Sequence, residues 1–246
     1  MGKKPGIIWI SHRGYSESVQ ENTLAAFKAA AALGYRHFET DLRISSDEHI
    51  VLLHDPALKR LANDKRKVCD LTRSQLQKIK LSDGSNLLFL DQFLEEFGNY
   101  CFTFDIKKEN GDRTINVLIN MAKKNGFTDL LYQQTKFLTW KKEHEMQLKG
   151  LLPGTRFYAS KPECWRAGLA VVFRLPQAGA IDPEKIYAIY SGPDFFSLFK
   201  KYIVDGYHSM GAQAIAFLPE TEVQTKAAIA AGFDEILSNG KIIKDN

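Results

Sequence analysis

Short apolar runs alternate with helical stretches along almost the whole chain, and this alternation restricts the fold more than any other feature. GIIWIS (6–11) is a nearly continuous apolar run of the kind found in a strand buried on both faces. ENTLAAFKAAAALG (21–34) follows with Leu24, Phe27, Ala31 and Ala32 at helical spacing, Asn22 or Thr23 able to cap its start, and Gly34 able to end it. HFETDLRI (37–44), HIVLLHD (49–55) and CFTFDIK (101–107) read as strands, and RTINVLINMAKKNG (113–126) as a helix. Further strands are predicted at LLYQQ (130–134), TRFYAS (155–160), KIYAIY (185–190), QAIAFL (213–218) and DEILS (234–238). Strand and helix in turn imply a parallel sheet covered by helices. A length of 246 residues suits one α/β barrel. The prediction is a TIM-type (β/α)₈ barrel, one domain over 1–246. The stretch 56–99 is long for a βα connection and holds two short helical patterns, DLTRSQLQKI and LDQFLEEFG. It is expected as a small insertion after the second strand, lying over the barrel mouth.

Composition narrows the function. The net charge of +4 fits an anionic substrate. Beyond the short run Lys59 to Lys67 there is no dense basic stripe, and no nucleic-acid motif, so nucleic acid is not an expected partner. Cys69, Cys101 and Cys164 are odd in number and far apart, which argues against a disulfide framework and against a zinc site. The apolar run after Lys3 and Lys4 is too short for a secretory signal, and no segment approaches a membrane span. A cytoplasmic protein without stable membrane insertion is expected.

Unusual polar groups gather at the strand ends. His12, Arg13 and Gly14 follow the first strand, Glu39 and Asp41 lie in the second, His54 ends the run 49–54, and Asp105 and Lys107 lie in 101–107. In a parallel barrel the C-terminal strand ends converge on one mouth, where the active sites of such barrels lie. Glu39 and Asp41 share a strand face. At about 6.6 Å and an effective dielectric near 20 they would repel by roughly 2.5 kcal/mol. A divalent cation offsets that repulsion economically, and all-carboxylate ligation selects Mg²⁺ or Ca²⁺. Asp105 can add a third oxygen ligand. His12 and His54 suit proton transfer near neutral pH, while Arg13 and Lys107 suit phosphate oxygens. His37, His49, His144 and His208 lack such company and read as structural or surface groups, and the aromatics through 187–207 read as packing.

The segment from Ser11 to Asn63 resembles the opening signature of the glycerophosphodiester phosphodiesterases: H-R-G at 12–14, E-N-T at 21–23, E-x-D at 39–41 and H-D at 54–55, in that order. The resemblance implies that His12 and His54 are acid/base histidines, Arg13 binds phosphate, and Glu39 and Asp41 ligate a metal. It implies that Glu21 and Asn22 brace the mouth. Asp105 and Lys107 fall where the family has E-x-K, and Phe217 where it has a Trp. The reaction implied is metal-dependent hydrolysis of a small-molecule glycerophosphodiester to glycerol 3-phosphate and an alcohol, through attack by the neighbouring glycerol hydroxyl. Two alternatives stay open: a lipid phosphodiesterase of the phospholipase D or lysophospholipase D type, and a barrel that binds a phosphorylated ligand without turnover. The departures from the family pattern, Asp105 for Glu, Phe217 for Trp, Gln20 for Pro and Ser238-Asn239 for T-D, bear on the ion and the leaving-group pocket.

Overall fold

The computed structural model describes residues 6–192 and 197–243. Among them nine strands occur: β1 (Ile8–His12), β2 (His37–Ile44), β3 (Ile50–Leu52), β4 (Cys101–Ile106), β5 (Thr135–Thr139), β6 (Arg156–Tyr158), β7 (Lys185–Tyr190), β8 (Gln213–Phe217) and β9 (Glu235–Ser238). All but β3 pair in parallel, and β3 runs antiparallel to β2. The chain divides into two compact units, His12–Arg156 and the combination of Met1–Ser11 with Phe157–Asn246.

In the unit His12–Arg156, β2 lies between β3 and β4, with β5 beyond β4. Every residue of β2 is buried, so both of its faces are covered. One face carries Phe38, whose ring sits 5.5 Å from Phe27, 5.3 Å from Phe97 and 4.7 Å from Tyr100. These rings come from the helices Leu24–Ala32 and Leu90–Phe97 and the turn after the second. Alternation then sends Glu39 and Asp41 to the opposite face. The helix Leu24–Ala32 starts where Thr23 Oγ1 accepts a hydrogen bond from Ala26 N at 3.2 Å.

The stretch 56–99 divides in two. Its first part holds short helices, Lys59–Ala62 and Arg73–Gln77, around a small core of its own with Leu58, Leu61, Val68, Leu76 and Phe89. Its second part, the helix Leu90–Phe97, is the covering helix between β2 and β4, because Phe93 and Phe97 join the ring cluster on Phe27 and Phe38. The strand predicted at LLYQQ is instead a helix, Thr128–Gln133, and β5 begins just after it. Leu130 and Leu131 are adjacent and both buried, and the next two residues are exposed. That is a helical rhythm, whereas β5 alternates buried and half-buried residues.

In the other unit the strands lie in the order β1, β9, β8, β7, β6. Its core joins Tyr187, Ala214, Ala216 and Ile236 of the strands to Cys164, Val204 and Tyr207 of the covering helices. Tyr187 and Phe199 are buried as the aromatic pattern predicts, whereas Tyr190 and Tyr202 are exposed; Phe195 and Phe196 lie outside the described residues, as do Lys3 and Lys4.

Candidate active site

The parallel register of β2 and β4 sets Asp41 opposite Asp105. With Glu39 two residues before Asp41, three carboxylates come together, each offering an oxygen within 4.8 Å of the others, and all three residues are buried. Lys107, just past β4, reaches between two of them: its Nζ lies 2.6 Å from Asp41 Oδ1 and 2.6 Å from Asp105 Oδ2. Arg13 Nε is 3.0 Å from Asp41 Oδ2. Asn22 Nδ2 donates to the same oxygen at 2.8 Å and is itself oriented by Thr40 Oγ1, which donates to Asn22 Oδ1 at 2.8 Å. Trp140, just after β5, donates from Nε1 to Asp105 Oδ1 at 2.7 Å.

Three carboxylates thus meet two cations, Arg13 and Lys107, which leaves one negative charge buried. It falls on Glu39. Its Oε2 is buried without a hydrogen-bond partner, and His12 Nε2 stands 3.9 Å away. Burial first, then the charge of Asp41, push the Glu39 carboxyl well above its ordinary range. Burial also raises Asp105, against the pull of Lys107. Asp41 goes the other way: burial opposes its ionisation, but Lys107, Arg13 and the Asn22 hydrogen bond outweigh burial and hold it low. Burial likewise opposes the charge on Lys107, and Asp41 and Asp105 more than restore it. An unpartnered buried carboxylate oxygen beside two further carboxylates is a set of hard oxygen donors, and it fits a hard divalent cation.

The histidines arrive by different routes. His12 ends β1, and the next residue anchors the turn there, with Arg13 N donating to Glu39 O at 3.0 Å. Arg13 and Asn22 both take left-handed backbone conformations, φ 57° and 56°. Gly14 is required between them, since a Cβ there would meet Ala26 at 2.6 Å. His54 comes from just beyond the antiparallel β3, where Leu53 N donates to Asp41 O at 3.1 Å. Arg43 Nε, donating to His54 O at 2.9 Å, fixes the backbone. The His54 ring has its Nδ1 2.8 Å from Asp55 Oδ1. Asp55 in turn accepts from Arg60, whose other end donates to Glu21 Oε1 at 2.7 Å; Arg13 donates to that same oxygen at 3.2 Å. Burial would raise Glu21 and Asp55, but Arg60 with Arg13 at the one, and His54 with Arg60 at the other, hold both carboxyls below their usual values. A continuous ionic chain therefore links His54 to Asp41.

His12, Arg13, Glu21, Asn22, Glu39, Asp41, His54, Asp105 and Lys107 all belong to the unit His12–Arg156. Phe217 belongs to the other unit, at the end of β8, where its ring lies 4.8 Å from Tyr190. The remaining histidines have structural partners: His37 with Thr103 at 2.9 Å, His49 with Arg73 at 3.3 Å and His208 with Asp234 at 2.9 Å, while His144 packs over Gly111. Arg60, Arg43 and Trp140 were not singled out from sequence. Arg60 sits inside the basic run after the H-D pair, and Trp140 directly after an alternating strand, and neither position is distinctive by spacing alone.

The solved structures most like this one include the glycerophosphoryl diester phosphodiesterase domain of a Mycobacterium tuberculosis protein, with a TM-score of 0.80 at 15% identity over 96% of this chain and 97% of that one. Another is an Oleispira antarctica phosphodiesterase in complex with the product sn-glycerol-3-phosphate, with a TM-score of 0.72 at 20% identity over 94% and 92%. The fold is the TIM-type (β/α)₈ barrel. The profile of the glycerophosphoryl diester phosphodiesterase family matches residues 12–161, more than half of the chain. A glycerophosphodiester phosphodiesterase of Caldanaerobacter subterraneus subsp. tengcongensis is 25% identical over 236 residues, 94% of this chain and 93% of that protein. The chain belongs to the glycerophosphoryl diester phosphodiesterase family.

Proposed function

We propose that the protein hydrolyses glycerophosphodiesters to glycerol 3-phosphate and an alcohol, with one divalent cation, Mg²⁺ or Ca²⁺, held by Glu39, Asp41 and Asp105. The observation that carries this reading is the unpartnered Glu39 Oε2 in a buried carboxylate triad beside His12 and Arg13. When bound, such a cation supplies Lewis-acid stabilisation of phosphoryl oxygens. Arg13 and Lys107 add fixed positive charge for the same oxygens. Of His12 and His54, one imidazole takes the proton from the glycerol hydroxyl next to the phosphate, and the other gives a proton to the departing alcohol oxygen. The new P–O bond closes a cyclic phosphodiester as the old one breaks. Water then opens the ring with the two proton transfers reversed. Asp55 keeps His54 in the tautomer that exposes Nε2, and Arg60 holds Asp55 in place.

Residues 1–246 act as one barrel domain in this account, which the solved relatives spanning nearly the whole chain support. The cytoplasm is the proposed location and breakdown of phospholipid-derived diesters the proposed setting; the free thiols Cys69, Cys101 and Cys164 fit a reducing compartment. No helix among the described residues is long and apolar enough to cross a membrane. The test is release of glycerol 3-phosphate from glycerophosphocholine and glycerophosphoethanolamine by the purified protein with Mg²⁺ or Ca²⁺. Release from either supports the reading. No release from both, by folded protein supplied with either ion, removes these substrates from it.

A further inference from the structure

The helix Lys161–Val172 belongs to the unit that holds β7 to β9, and its two faces differ sharply. Cys164, Ala167, Ala170 and Val171 turn inward and are buried. The outward face is not polar. Trp165 is 65% exposed, Leu169 53%, Phe173 69% and Leu175 60%. At about 100° per residue, Trp165, Leu169 and Phe173 fall within roughly 80° of one another, a single stripe. Leu169, Phe173 and Leu175, with Ala170 and Ala178, line a shallow groove of about 450 Å³, edged by Arg166. Isolated exposed apolar side chains need no explanation, but a contiguous stripe of aromatics and leucines does.

The charged side chains of this helix and its end that make no ion pair among the described residues are all cationic. Lys161 lies to one side of it on the helix and Arg166 to the other, with Arg174 just past the helix end. None of the three is ion-paired among the described residues. Arg166 is held at the edge of the groove by donating from Nε to Gly179 O at 2.8 Å, which keeps its charge beside the apolar surface. The only acidic side chain of the helix, Glu163, is taken up by Ser160 at 2.6 Å and Lys185 at 2.9 Å. The face thus offers apolar rings, leucines and uncompensated cations together. Two copies placed face to face would set like charges against each other.

We propose that this face docks the protein peripherally on an anionic phospholipid bilayer. Trp165, Leu169, Phe173 and Leu175 enter the headgroup–acyl boundary, and Lys161, Arg166 and Arg174 meet lipid phosphates. The docking does not rest on the catalytic reading, since none of these residues belongs to the unit that carries the carboxylate triad.

The test is co-sedimentation of the full chain with vesicles of phosphatidylcholine alone and of phosphatidylcholine with an equal part of phosphatidylglycerol. The expected result is binding at least ~10-fold stronger to the anionic vesicles, weakened by high salt. It should be lost in W165E/F173E and reduced in K161Q/R174Q, with the melting temperatures of both variants near that of the parent. These positions are exposed, so folding is not at stake. Equal binding to both vesicles, binding to neither, or wild-type binding by W165E/F173E would overturn the proposal. So would a dimer in sedimentation velocity that W165E/F173E dissociates, because the face would then belong to a second copy.

Discussion

Glu39 carries the uncompensated charge of the site. Lys107 serves Asp41 and Asp105, and Arg13 serves Asp41, so among the described residues the ion-pair contact of Glu39 is with His12 at 3.9 Å. Glu39→Gln keeps the shape and removes the charge. Cation affinity, read by calorimetric titration, is expected to fall at least ~10-fold. The melting temperature of the cation-free protein should hold or rise, since burial and Asp41 already press the Glu39 carboxyl toward its neutral form, which Gln mimics. A drop of several degrees would make Glu39 a structural carboxylate instead. Arg60 is a positioning residue in the chain from His54 to Arg13. Arg60→Ala is expected to lower kcat by about 10-fold with little change in KM, against at least ~10²-fold for His54→Ala; an unchanged kcat would remove Arg60 from the site. The carboxylate cluster was readable from sequence because strand alternation puts Glu39 and Asp41 on one face and a parallel barrel brings the strand with Asp105 to the same mouth. Arg60 meets Glu21 across 39 residues and Trp140 meets Asp105 across 35, and no periodicity reports a contact that only the fold creates.

At the scale of elements, the strands with strict patterns, β2 and β7, match their predicted bounds. The segment LLYQQ misled because a short apolar run ahead of a strand does not separate helix from strand, and only the rhythm of burial does. The helix Leu90–Phe97 looked like part of an insertion because its aromatic partners, Phe27 and Phe38, are more than fifty positions away in the chain. The helix Lys161–Val172 gives a test at this scale. Ser160 and Glu163 form a capping box at its start, and Lys185 pairs with Glu163. Burial would raise the Glu163 carboxyl, but the Ser160 hydrogen bond and Lys185 lower it below its ordinary 4.5. Its stabilising contribution is therefore present above that value and lost as pH falls through the lowered one. In urea unfolding, Glu163→Gln should be less stable than the parent at neutral pH, and the difference should vanish in acid. A difference independent of pH would show that the hydrogen bonds, not the charge, carry the effect.

For the whole molecule, the sequence implied a barrel through its alternation, and the solved relatives have the same architecture at 15–20% identity. Such distance is tolerable because a barrel asks of each strand only buried faces and a parallel neighbour. What identity at that level does not carry is the choice of alcohol that leaves. The triad makes a stronger demand, since three buried carboxylates with two cations are short of one positive partner. Turnover should therefore depend on a bound cation. The deciding measurement is glycerol 3-phosphate release from glycerophosphocholine during titration of Mg²⁺ or Ca²⁺ into chelator-treated protein, for the parent and Glu39→Gln side by side. The account predicts no release in chelator, saturable recovery in the parent, and a half-saturating ion concentration at least ~10-fold higher in the variant. Full turnover in excess chelator, or identical titrations for the two proteins, would contradict it.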